Sequence, residues 1–178
     1  QLIKVGSGEL AGTSVAFPPG SLGVPVNLTI GAGESLAESS IAEAIGLSGN
    51  VPSASGPAVS VVPSENVTPD NPFVLSLPIS KSTSLNLASD SDIDTENIIV
   101  LFQAIIVDGG KVTYMNGVLP KQSLTVSGKS VQFQTMYFGT YQVARTSKLV
   151  TEKIAKATTE LAEAIAQINA VNKIKKHK

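Results

Sequence analysis

All 15 glycines and all 10 prolines of this 178-residue chain fall before residue 146. Punctuation of that density ends an element every few residues, whereas a stretch free of both can propagate one helix. The chain therefore divides near residue 145 into a part that must turn often and a part that need not turn at all.

The first part reads as short strands. Apolar and β-branched runs occur at 26–30 (VNLTI), 58–64 (AVSVVPS), 73–79 (FVLSLPI), 98–107 (IIVLFQAIIV), 111–115 (KVTYM), 123–128 (SLTVSG) and 131–136 (VQFQTM). Turn residues separate them, with DGG at 108–110 and NG at 116–117 as hairpin or turn sites. MYFGTYQVA at 136–144 reads as the closing strand. One segment differs: in ESLAESSIAEAIGL, Leu36, Ile41, Ala44 and Ile45 share a helical face and Gly46 can stop it, giving a short inserted helix at about 35–46. The expected fold is mainly β, a β-sandwich over residues 1–145.

The second part, 146–178, has a helical period. Val150, Ile154, Ala157, Leu161, Ala164, Ile168 and Val171 recur at +4, +3, a heptad seam of large and small residues that Ile165 widens. Thr146 or Ser147 can cap its start. A long amphipathic helix with one apolar stripe must cover something: its own sandwich, or other chains. For the second case the partner-binding residues are Ile154, Leu161, Ile165, Ile168 and Val171. Charge follows the same division. Residues 1–147 hold six Lys/Arg and eleven Asp/Glu, a balance of −5, and residues 148–178 hold seven Lys and three Glu, a balance of +4. The basic end reads as lysines that offset a helix C-terminus.

Composition narrows the chemistry. With no cysteine, thiol catalysis, disulfides and Cys-ligated zinc are excluded. The single histidine, His177, stands among lysines, and no Walker loop, G-x-S-x-G elbow or His pair occurs. Net charge of −1 argues against a nucleic-acid partner, and no apolar run reaches the 18 residues of a membrane span. Trp is absent and aromatics make up 4%, so the core must be built largely from Val, Ile, Leu and Ala. A total of 34 Ser and Thr fits solvent-facing strand positions in an exported protein.

The strand text also resembles a known family. GTSVAFPPGSLGVPVNLTIGAG, GPAVSVVPSENVTPDNPFVLSLPI and VQFQTMYFGTYQVA are similar to successive stretches of ZU5-like domains of the bacterial type, over about residues 12–145. The resemblance implies a ZU5-like β-sandwich from an exported bacterial surface protein, whose leader is not visible in QLIKVGSGEL. Some relatives carry His-Phe-Ser on the last strand and cut themselves before the Ser. The matching positions here are Tyr137, Phe138 and Gly139, which offer neither a neutral-pH base nor a hydroxyl. Thr140 has a hydroxyl one residue late, with no base evident nearby, so the strand reads as an uncleaved one.

The function expected is therefore non-enzymatic, with no catalytic or metal residues and no cofactor: a structural or interaction module whose C-terminal helix mediates packing or self-association with a protein partner. The alternative is a ligand-binding adhesin module with weak calcium binding at Asp90, Asp92, Asp94 and Glu96, although Thr95 and Leu101 depart from the EF-hand pattern. NLT at 27–29 and NVT at 66–68 match the glycosylation pattern only as short motifs.

Overall fold

The computed structural model describes residues 1–79, 97–127 and 129–176. Two antiparallel sheets share one apolar core. The first has the order β1 (Leu2–Lys4), β2 (Ser14–Ala16), β6 (Phe73–Pro78), β10 (Ser130–Thr135), β9 (Thr125–Ser127). The second runs β3 (Leu28–Ala32), β5 (Val59–Pro63), β11 (Gly139–Arg145), β7 (Ile98–Asp108), β8 (Lys111–Leu119), and β4 (Ser53–Ala54) pairs with the far end of β11.

Alternation fixes which face of each strand looks inward. On β6, Phe73, Leu75 and Leu77 are buried while the residues between them are half-exposed. In β10 Val131 and Phe133 lie opposite Leu77 and Leu75, so the two strands present one apolar face. Val59, Val61, Val100, Tyr141 and Val143 answer from the second sheet. Each such large side chain removed from water contributes about 1.5–3 kcal/mol. The core is mainly aliphatic, yet all five phenylalanines meet a ring partner: Phe17 and Phe138 flank Phe73, and Phe102 and Phe133 flank Tyr141. The phenylalanines and Tyr141 are concentrated in the core, whereas Tyr114 and Tyr137 are exposed.

The continuous apolar run of β7 has a separate cause. Ile98 and Val100 face the shared core, and Ile99 and Leu101 face outward into a second cluster. That cluster is roofed by α1 (Ser39–Ala44) through Ala42, by Leu36 and Leu47 on either side of it, and by α2 (Lys148–Lys176) through Val150 and Ile154. A strand covered on both sides loses its alternation. The expected inserted helix is present but shorter than 35–46. It ends in a Schellman motif: Gly46 at φ 82° donates to Glu43 O and Leu47 donates to Ala42 O.

DGG forms the expected hairpin, with Gly109 and Gly110 both at positive φ between Asp108 and Lys111. NG does not. β8 runs straight through Asn116 and Gly117, because Gly117 lies opposite Phe102 and its missing side chain makes room for that ring. The strand expected at 26–30 falls at Leu28–Ala32, and β1 and β4 pair without a pattern strong enough to foresee.

Candidate interaction surface on the C-terminal helix

α2 starts where β11 stops. Ser147 accepts a hydrogen bond from the Val150 N–H at 3.3 Å, the side-chain cap that starts the helix. Val150 and Ile154, one turn apart, sink onto Ile99, Leu101 and Ala144 on the outer face of the second sheet. With 29 residues at 1.5 Å each, α2 is about 44 Å long. Among its described side chains, the large buried ones, Val150 and Ile154, fall in the first two turns.

The seam then continues into solvent. Leu161, Ile165 and Ile168 are 62%, 50% and 59% exposed, and Ala157 and Ala164 on the same stripe are exposed too. The five residues assigned to partner binding thus divide. Ile154 is seated on the body, three large aliphatics stand free of it, and the side chain of Val171 lies outside the described residues. Three unscreened aliphatics along one face of one helix make a contiguous apolar strip, the kind of surface that marks a contact site.

The positions Tyr137, Phe138 and Gly139 lie at the entry to β11. Phe138 is buried against Phe73, and Gly139 opens the strand at φ 151°, a region favoured by glycine. A Cβ on Gly139 would collide with the Gln103 carbonyl oxygen on β7. Position 139 therefore has no room for a side chain. Thr140 pairs with Ser60 and Gln103, and neither is a base. Tyr141 sends its hydroxyl back to Tyr137 O at 2.6 Å and shares a 2.7 Å hydrogen bond with Thr135. This backward bond is a device of β-sandwich corners. Burial pushes the Tyr141 phenol up to about 12, so it holds its proton throughout the neutral range.

Gln142 is the polar residue that sequence reasoning passed over. Only 3% exposed, it accepts from Leu36 N at 2.7 Å and Ser35 Oγ at 3.3 Å, and donates to Gly56 O at 3.1 Å. One side chain thereby ties two loops to the central strand. The sole signal was a Gln inside the apolar run YQVA.

A cleft of about 350 Å³ opens between the sheets, lined by Pro72, Phe102, Leu119, Met136, Tyr137 and Tyr141. Its walls are apolar, and the Thr135 and Tyr141 hydroxyls beside it are bonded to each other. Among the described residues no group of three or more His, Asp or Glu gathers as a metal site, and no helix is long and apolar enough to cross a membrane. The acidic stretch Asp90–Glu96 and His177 lie outside the described residues. No family model and no curated protein matches the chain.

Proposed function

We propose that this chain is a non-enzymatic structural or interaction module, a ZU5-like β-sandwich of an exported bacterial surface protein that offers the distal half of α2 to a protein partner. The observation that carries the reading is the division of α2. Two turns anchor it on the sheet, and beyond them Leu161, Ile165 and Ile168 remain exposed. Exposing that much aliphatic surface serves nothing in the fold of a lone chain. The ZU5-like and exported character rests on the strand text and the 34 Ser and Thr.

The test is whether the distal half serves the fold. A chain ended after Thr159 keeps Val150 and Ile154, and its melting temperature at low micromolar concentration should stay within about 2 °C of the full chain. A fall of more than about 5 °C would mean the distal half folds back on its own body, and the reading would be lost.

A further inference from the structure

We propose that the cleft between the sheets is a binding site for a small, neutral aromatic molecule whose only polar group is a hydrogen-bond donor. The site is independent of α2, which packs on the outer face of the second sheet.

Three features of the strands shape the cleft. β9 pairs with β10 only as far as Gln132, so at Phe133–Thr135 the first sheet has no further strand on that flank among the described residues. Across from this flank, the far edge of the Phe102 ring lies over Gly117, where a Cβ would collide with it. The ring thus lies against β8 and leaves the space between the sheets unfilled. Met136 and Tyr137, between β10 and β11, make the third wall. Their turn is fastened twice: Tyr137 N–H donates to Thr135 Oγ1 at 3.2 Å, and the Tyr141 hydroxyl donates to Tyr137 O at 2.6 Å. The walls are therefore set before anything binds, as in most ligand pockets.

The lining sets the class of ligand. No lining side chain carries a charge at neutral pH, so a carboxylate, phosphate or ammonium buried there would go uncompensated. Gln134 belongs to the exposed face of β10. The two hydroxyls have no proton to give. That of Tyr141 goes to Tyr137 O, so that of Thr135 goes to Tyr141 Oη across 2.7 Å. What remains on the pair is acceptor capacity, and the complementary ligand group is a donor such as a phenol O–H or an indole N–H. The rings of Phe102, Tyr137 and Tyr141 and the Met136 thioether favour an aromatic body, since ring–ring and sulfur–ring contacts add to the burial of area.

Volume sets the size. At interior packing density a cleft of about 350 Å³ holds roughly 10–15 non-hydrogen atoms, a bicyclic ring system. A ligand of that size held mainly by apolar contact should bind with a dissociation constant on the order of 10–500 μM.

2-Naphthol has this body and this polar group, whereas 2-naphthoate keeps the body and replaces the donor with a negative charge. Titrated into the full chain at neutral pH, 2-naphthol should bind saturably and move the amide NMR signals of Phe102, Thr135, Met136 and Tyr137. 2-Naphthoate should bind at least about tenfold more weakly. Leu119→Trp, which fills the cleft, should weaken 2-naphthol about tenfold or more. Tyr137→Ala is the second variant, chosen to keep the fold: its ring is 41% exposed, and its main-chain carbonyl, not its ring, holds Tyr141. It should weaken 2-naphthol about threefold or more. No saturable binding up to about 2 mM would overturn the proposal. So would signals that move at residues 161–168 instead of around the cleft, equal affinity for 2-naphthoate, or undiminished 2-naphthol binding in the two variants.

Discussion

Replacing Gly139 by Ser introduces a hydroxyl at a position where this fold has no space for a side chain. The backbone there has φ 151°, which costs a non-glycine residue on the order of 1–3 kcal/mol. The new Cβ also meets the Gln103 carbonyl oxygen, part of the β7–β11 ladder, and moving that backbone costs about 1–3 kcal/mol more. The sum is about 4 kcal/mol, a large share of the 5–15 kcal/mol typical of a folded domain. With a urea slope of about 2 kcal/mol per molar, the unfolding midpoint should fall by about 2 M. Gly31 on β3 is the matched control: a Cβ there meets nothing within 4 Å, so Gly31→Ser should shift the midpoint by less than about 0.3 M. On a denaturing gel the Gly139→Ser protein should remain one band. A midpoint loss below about 0.5 M, or a new fragment beginning at residue 139, would refute the reasoning about β11.

Two further tests address the groups that lock β11 in place. The Tyr141 phenol is raised to about 12 by burial, whereas an unfolded one titrates near 10, so above pH ~10 the unfolded chain loses its proton first and stability falls. The loss should reach about 2–3 kcal/mol by pH ~12, and Tyr141→Phe should remove that part of the slope; an unchanged alkaline slope in the variant would place the titration elsewhere. Gln142→Leu strands the Leu36 N–H and the Gly56 carbonyl and should cost about 3 kcal/mol, a melting decrease of roughly 6–12 °C. A drop under about 2 °C would mean those loops find other partners.

What the sequence disclosed depended on how local the cause was. The turn at DGG, the stop at Gly46, the cap at Ser147 and the strands at 73–79 and 131–136 are written in neighbouring residues, and the structure forms all of them. NG at 116–117 misleads because its reason lies on another strand, in the ring of Phe102. Gln142 is unremarkable until residues 35, 36 and 56 arrive beside it from far along the chain. The stripe on α2 was legible as a stripe, but no spacing rule says where a helix leaves its own body. That point, after Ile154, depends on how far the outer face of the second sheet extends.

The position of β11 has a consequence for how the chain comes to be folded. It is the last strand in sequence, yet it lies inside its sheet, hydrogen-bonded to β7 on one side and to β5 and β4 on the other. During synthesis, β5 and β7 wait with an empty lane between them until residues 139–145 emerge. Contacts so distant in sequence close slowly, and open sheet edges invite mispairing in the interval. A chain interrupted anywhere before Arg145 is therefore not a slightly shortened protein but a sheet with its middle missing.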